Sequence, residues 1–440
     1  MNLEMVIFSP VSTESIHGGG AKLRGELTPP GDKSISHRAI ILGSIAEGLT
    51  TVTGFLPAGD TLSSADAMMM LGIPIKIDED TLKIRGKGTY GLVEPENTID
   101  AGNSGTTARL LTGILSAQNF FSSITGDQYL RARPMERVVI PLSLMGARIW
   151  GRDNGKKLPL AILGGNLKAI SYTLPVASAQ VKSAILLAAL YAEGETEIIE
   201  PEPTRDHTER MLSYFGVRIE KDDSRIKVRG PQKLESGRTL SIPADISSAS
   251  FFIVASLINP NSEILIKRVG LNPSRTGVLE ILKEMGGDIK ILNKREESGE
   301  DIGDILAKSS KLKAVEIAGR IIPKTIDELP IIAVAACYAE GETVIKDAKE
   351  LRVKETDRIK AVSIELRKFG AEIDELDDGM IIRGRETLKG TECSSWGDHR
   401  IAMALAVAAT RAKGRTEIKD AECVSVSFPR FFNILKTLRT

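Results

Sequence analysis

R-A-I-I-L-G-S-I-A-E-G (residues 38–48) is the first of six related runs in this 440-residue chain. The others are R-L-L-T-G-I-L-S-A (109–117), K-S-A-I-L-L-A-A-L-Y-A-E-G (182–194), F-F-I-V-A-S-L-I (251–258), P-I-I-A-V-A-A-C-Y-A-E-G (330–341) and R-I-A-M-A-L-A-V-A-A-T (400–410). Each is Ala-rich, ends near a Gly or Asn and is followed by a β-like run. A helix that is apolar nearly all round belongs inside a core. A second helix per unit closes in Gly72, Gly146, Gly216, Gly286 and Gly370, at spacings of 74, 70, 70 and 84 residues. A period this long defines a repeat architecture. The closing Gly suits a left-handed C-cap, with Ile or Val starting the next strand soon after.

Alternation in Thr81-Leu-Lys-Ile-Arg-Gly86, Ser224-Arg-Ile-Lys-Val-Arg-Gly230 and Gly379-Met-Ile-Ile-Arg-Gly384 marks strands. Each unit then holds two helices and about four strands. One core stops growing beyond roughly 250–300 residues, so six units divide into two domains of three. The first unit lacks its early strands and the chain ends after the sixth unit's second helix. The N-terminal segment is therefore expected to lend strands to the C-terminal domain. The predicted division is 31–243 for one domain and 1–30 plus 244–440 for the other, with crossovers near 29–31 and 242–245. The charged stretch Lys294 to Lys313 reads as a surface insertion in the fifth unit.

Lys plus Arg is 58 and Asp plus Glu is 58, so an anion site must be built locally, and nothing global suggests nucleic acid or an anionic membrane. No apolar run reaches the roughly 18 residues of a membrane span. Met1 to Gly20 carries Glu4 and Glu14 and no Arg, unlike a secretory or transit segment. Cys337, Cys393 and Cys423 are widely spaced and odd in number, so a reducing, cytoplasmic setting is expected.

The residues just before each buried helix carry the chemistry: D-K-S-I-S-H-R at Asp32, A-G-N-S-G-T-T-A-R at Ala101, A-S-A-Q-V-K at Ala177, A-D-I-S-S-A-S at Ala244, T-I-D-E-L-P at Thr325 and W-G-D-H-R at Trp396. Helix starts present unpaired N–H groups to an anion, and Asp, Ser and Asn there also serve as plain N-caps. Lys33, Arg38 and the His399-Arg400 pair sit in first turns, where the macrodipole disfavours cations unless an anion is shared. Gly102 to Thr107 is a Gly-rich phosphate-cradle candidate that is not a Walker loop. Arg352-Val-Lys-Glu-Thr-Asp-Arg358 packs five charges into seven residues after a strand-like run; if helical, Lys354 and Arg358 are like-charged i,i+4 neighbours.

Taken together these motifs, with R-P-M-E-R at Arg133, resemble the 5-enolpyruvylshikimate-3-phosphate synthase family of enolpyruvyl transferases, from about Gly25 to Phe432. The resemblance implies a two-domain inside-out α/β barrel of six βαβαββ repeats, three per domain, which closes on substrate. It implies transfer of the enolpyruvyl group of phosphoenolpyruvate to the 5-hydroxyl of shikimate 3-phosphate, with release of phosphate. Lys33, Asp327 and Glu355 are the implied catalytic residues. Shikimate 3-phosphate is expected on Lys33, Ser34, Arg38, Ser178, Gln180, Arg205, Asp327 and Lys354, with Ala179 replacing a second family serine. Phosphoenolpyruvate is expected on Lys33, Asn103, Gly105, Arg133, Gln180, Arg358, His399 and Arg400, the arginines gripping it by fork-shaped hydrogen bonds. No metal or organic cofactor is implied, and a monomer is expected. Glyphosate is the implied inhibitor. Val426, in Ser425-Val-Ser-Phe-Pro429, stands where many members carry a Lys.

A sister family acts on a UDP-linked amino sugar and uses a loop Cys as proton donor. Phe120 to Arg133 holds none, and Cys337 lies in an apolar helix. A catalytically dead phosphometabolite-binding scaffold is the other alternative, against which Lys33, Asp327 and Glu355 stand.

Overall fold

The six quoted runs are helices, and all six are interior. A computed structural model describes residues 13–235 and 237–439, and residues 1–12 of the predicted C-terminal domain lie outside them. The helices are Lys33–Ile45, Gly105–Leu115, Ala179–Ala189, Ile246–Ile258, Leu329–Cys337 and His399–Arg411. Every residue of Ile246–Ile258 and of Leu329–Cys337 is buried. Burial of one Leu, Ile or Phe side chain stabilises by roughly 1.5–3 kcal/mol, so these helices anchor their domains. Small residues let them approach closely. A Cβ on Gly113 would stand 2.3 Å from the Ala184 carbonyl oxygen of the neighbouring helix.

The second helices end as the Gly spacing predicts. Gly72, Gly146, Gly216, Gly286 and Gly370 all have positive φ, from 83° to 105°. In each, the Gly N–H bonds a carbonyl three residues back and the following N–H bonds one five back: Gly72 to Met69 and Ile73 to Met68, for example. This paired pattern is the Schellman motif, and it turns the chain directly into the next strand.

Among the described residues, six small sheets cover the helices. Five have four strands and follow one plan, an edge pair that is parallel and two antiparallel pairs. The first unit's sheet takes its parallel strand, Thr239–Ser241, from the end of the third unit, pairing Glu47–Thr53. The fourth unit's sheet takes Arg24–Leu27, which runs parallel to Glu263–Gly270. The sixth takes Glu14–His17, antiparallel to Arg415–Lys419. The protein is thus an α/β fold of repeated units in two similar domains, helices inside and sheets outside. One hydrophobic core gathers residues from Ile35 to Ile242, the other gathers Ile16 to Leu27 with Ile246 to Leu438. No helix among the described residues is long and apolar enough to cross a membrane.

The charged stretch Lys294 to Lys313 is not an insertion in the fifth unit. It is mostly the far end of the fourth unit's hairpin, strands Asp288–Glu297 and Glu300–Lys308. Its outer face carries the charges that read as loop, while Ile302, Ile305 and Ala307 point into the core. The tip reaches the other half of the molecule, where Glu300 lies 2.7 Å from His207 Nδ1.

The crossovers run side by side. Asp32 N–H donates to the Pro243 carbonyl at 2.8 Å, and Asp245 N–H donates to the Pro30 carbonyl at 2.9 Å. These bonds set the two domains' first helices, and hence Lys33, against each other.

Candidate active site

The starts of the buried helices converge on one cavity of about 380 Å³ between the domains. Their caps are built from the predicted residues. Asp32 accepts from Ile35 N–H, Ser104 from Thr107, Ser178 from Val181, Asp245 from Ser247 and Asp398 from Arg400. Helix Leu329–Cys337 differs, because Glu328 makes no capping bond. Its neighbour Asp327 instead faces the cleft.

Lys33, Ser34, Gly105, Arg133, Ser178, Gln180, Arg205, Asp327, Lys354, Glu355 and Arg400 all line the cavity. Arg38, Asn103, Arg358 and His399 do not contribute to its lining. Arg38 is buried among neutral acceptors, donating to Thr208 Oγ1 at 2.6 Å, Ser183 Oγ at 2.8 Å and the Ser34 carbonyl at 2.9 Å. Asn103 donates to Asp127 at 2.8 Å. Arg358 is fully buried and donates to Glu355 at 2.7 Å, to Asp327 at 3.2 Å and to Asp398 at 2.8 Å. Val426 ends a 3₁₀ turn, Ala421–Val426, away from the cavity wall.

Arg352 to Arg358 is not one helix. A 3₁₀ turn, Lys349–Val353, ends before Lys354, and Asp357 caps a new helix, Arg358–Lys368. Lys354 and Arg358 are therefore not neighbours on one helix face but meet at Asp327 Oδ1, 3.4 Å from the one and 3.2 Å from the other, and Arg352 is spent on Asp357, Glu375 and two backbone carbonyls.

Carboxylates relieve the cations of the first turns. Lys33 Nζ lies 3.0 Å from Asp60, a residue the sequence reading missed because it lies in another helix start, 27 positions on. Across the cleft, Arg205 donates to Asp327 and Arg133 stands 4.0 Å from Glu355. Lys354 lies 3.4 Å and Arg400 3.9 Å from Asp327. Arg109 and Arg137 were also missed. Arg109 donates to Gln180 and the Pro134 carbonyl, and Arg137 reaches Glu350 at 3.2 Å across the cleft. Both stand inside the motifs quoted at Ala101 and Arg133, where no role was read for them.

These charges decide protonation. Burial pushes the Asp327 carboxyl up, but Lys354, then Arg205, Arg400 and Arg358, outweigh it and hold the group well below the usual range. Burial likewise raises Glu355, and Arg358, then Arg133 and Lys33, hold it well below. Burial lowers the Lys354 ammonium more than Asp327 restores it. Burial, then Lys33 and Arg400, push His399 well below its ordinary value, so it is a neutral imidazole near pH 7. It therefore brings no positive charge to the helix start, contrary to its placement among the first-turn cations. Burial, then Arg133 and Arg137, push the Arg109 guanidinium down to about 9.

The arrangement can hold two anions side by side and offers two ionised carboxylates and two ammonium groups for proton transfer. Among the described residues, no group of three or more His, Cys, Asp or Glu side chains is placed to hold a metal ion. The fold and the cleft define a class: a two-domain α/β protein of six repeats whose helix starts converge on a cleft lined by cations and carboxylates between the domains. Residues 18–435 match the model of the family EPSP synthase (3-phosphoshikimate 1-carboxyvinyltransferase), and the chain belongs to that family. It is 56% identical over 414 residues to the 3-phosphoshikimate 1-carboxyvinyltransferase of Geotalea daltonii, covering 94% of this chain and 96% of that one. The enzyme of the same name from Geobacter sulfurreducens is 56% identical over 413 residues, again covering 94% and 96%. The solved EPSP synthase of Acinetobacter baumannii is similar with a TM-score of 0.88 and 45% identity, over 97% of this chain and 98% of that one.

Proposed function

We propose that this cleft transfers the enolpyruvyl group of phosphoenolpyruvate to the 5-hydroxyl of shikimate 3-phosphate, acting as a cytoplasmic monomer. The observation that carries the reading is the placement of Asp327 and Glu355 on the cavity wall, both bonded to the one buried guanidinium of Arg358. Family membership supplies the substrates. The geometry supports the roles.

Ser34, Ser178, Gln180, Arg205 and Lys354 form the shikimate 3-phosphate half, with Lys33 and Asp327 between the substrates. Gly105, Arg133 and Arg400 line the phosphoenolpyruvate half, and Gln180 reaches both. Arg38, Asn103, Arg358 and His399 lie behind the wall. Arg358 acts from there by holding both carboxylates, and Arg38 by bracing Ser34 and Thr208. Glyphosate, with a similar charge pattern, competes for the phosphoenolpyruvate half.

An ionised Asp327 can accept the proton of the 5-hydroxyl as that oxygen bonds C2 of phosphoenolpyruvate. An ammonium, Lys33 or the depressed Lys354, can deliver the proton that C3 gains. The tetrahedral adduct then loses its C3 proton to a carboxylate, the C2–O bond to phosphate breaks, and the enolpyruvyl ether remains. Glu355, ionised beside Arg133, is placed for that second abstraction. The surrounding arginines offset charge on two anions brought together.

Phosphate release from phosphoenolpyruvate tests the reading: with shikimate 3-phosphate, then with a UDP-linked amino sugar, then with neither. Release only in the first case is expected. Release with the sugar nucleotide, or none at all, overturns it.

A further inference from the structure

Arg275 stands where the two crossovers meet, and the chemistry above does not use it. It lies in the turn before the helix Gly277–Glu284, with its side chain 3% exposed. One Nη lies 3.4 Å from Asp32, and the other lies 3.5 Å from both Asp245 and Glu328. That second nitrogen also donates to Ser247 Oγ at 2.5 Å, and Ser247 donates to Glu328.

The three carboxylates hold key positions. Asp32 caps the helix that begins with Lys33, and Asp245 caps the first helix of the other domain. Glu328 directly follows Asp327. A guanidinium fork reaches several fixed directions at once, which a lysine ammonium cannot reproduce. Lys33 and Asp327 come from opposite domains, yet each is one residue from a partner of the same fork.

We propose that Arg275 is the positioning residue that fixes Lys33 and Asp327 relative to each other, by gripping the neighbour of each through one buried guanidinium. This rests on the assignment of those two residues to proton transfer. The charge contributes as well. Asp327 is faced by Lys354, Arg205, Arg400 and Arg358, and Arg275 adds a cation from the crossover side. A carboxylate that loses a facing cation is protonated at higher pH, so a base supported by Arg275 would fail earlier as pH falls.

Arg275→Lys keeps the charge and loses the fork; Arg275→Gln loses both. Thermal melting gives the folded fraction, and steady-state kinetics across pH gives kcat, KM and the acid limb of kcat/KM. Arg275→Lys should fold and lose at least roughly 10-fold in kcat, since small misplacements of reacting groups are costly. Its KM for shikimate 3-phosphate should stay within about 3-fold, because that loss falls on the transition state rather than on binding. Arg275→Gln should lose as much and also move the acid limb upward. If Arg275→Gln does not fold, Arg275→Lys decides together with Glu328→Gln, which keeps the shape but weakens the grip and should also lower kcat more than it raises KM.

A merely structural role would lower the melting temperature and leave kcat per folded molecule and the limb unchanged. That result, or an Arg275→Lys kcat within about two-fold of the unsubstituted protein, overturns the inference. If the unsubstituted protein releases no phosphate in the same assay, the functional reading has failed and this inference with it.

Discussion

Arg358 Nη1 donates to Asp327 Oδ1 at 3.2 Å from behind the cleft wall. The same guanidinium donates to Glu355 and to Asp398, so one buried cation holds both carboxylates to which proton transfer is assigned. Asp327→Asn and Glu355→Gln keep size but remove the base. Turnover should fall roughly 10²-fold or more in each. The double variant should lose less than the product of the two, since residues sharing a partner are not independent. Calorimetry should show shikimate 3-phosphate binding far less affected than turnover. Near-normal kcat in both single variants contradicts the assignment.

Ion pairs already bridge the cleft. Cations on both walls invite the expectation of repulsion across the cleft, but Arg205 pairs with Asp327, Arg133 faces Glu355, and Arg137 reaches Glu350. The Arg137–Glu350 pair is about a third to a half exposed, and such pairs contribute only about 0–1 kcal/mol. The Arg205–Asp327 pair is largely buried, and Asp327→Asn would leave Arg205, Lys354, Arg358 and Arg400 facing one another. Small-angle scattering should therefore give that variant a larger ligand-free radius of gyration than the parent. Saturating shikimate 3-phosphate should contract the parent. Equal radii for parent and variant would show that these pairs do not govern closure.

Much of this was legible because a repeat multiplies a weak signal six-fold. One Ala-rich helix with a Gly stop says little, but five stops at near-constant spacing dictate the turn chemistry, and the Schellman bonds at Gly72 through Gly370 follow. The cleft residues were legible where helix-start motifs carry them. What stayed hidden is pairing at long range. Asp60 against Lys33 joins the two helices of one unit, and Arg137 against Glu350 and Arg275 among three carboxylates join residues from different units. The outward charges of strand Glu300–Lys308 masked its alternating core residues, so a hairpin read as an insertion.

Acid should destabilise the protein through a histidine outside the cleft. His37 is fully buried, with Nδ1 2.7 Å from Ser64 Oγ and Nε2 without a partner among the described residues. Burial drives its pKa down to about 3, against 6.5 for a free imidazole. The unfolded chain therefore binds a proton below pH 6.5 that the folded chain refuses. Stability from this group is full above that pH and is lost as pH falls toward 3. Between pH 6.5 and 5 the loss is about 2 kcal/mol, from about 1.4 kcal/mol per pH unit. Thermal melting across this range should show the decline, and His37→Asn should flatten it. An unchanged slope in the variant would show that His37 does not carry it.

Inhibition by glyphosate should depend on Gly105, the first residue of the helix Gly105–Leu115. A Cβ built there would lie 3.0 Å from Arg109 Nη1 and 3.2 Å from Arg133 Nη1. Both contacts are to ends of flexible side chains, so Gly105→Ala should fold and shift the two guanidiniums by a few tenths of an ångström. Arg133 is assigned to the phosphoenolpyruvate half, so its fork would no longer sit where a carboxylate or phosphate expects it. The compact substrate can follow that shift. The longer inhibitor, spanning more of the pocket, has less room to do so. The unsubstituted protein should thus be inhibited competitively with phosphoenolpyruvate. In Gly105→Ala the inhibition constant should rise at least roughly 10-fold, the penalty of about 1.4 kcal/mol in one binding contact. The KM for phosphoenolpyruvate should rise by a smaller factor. Inhibition curves at several phosphoenolpyruvate concentrations measure both constants. Equal sensitivity before and after the substitution would show that Gly105 does not shape the inhibitor's site.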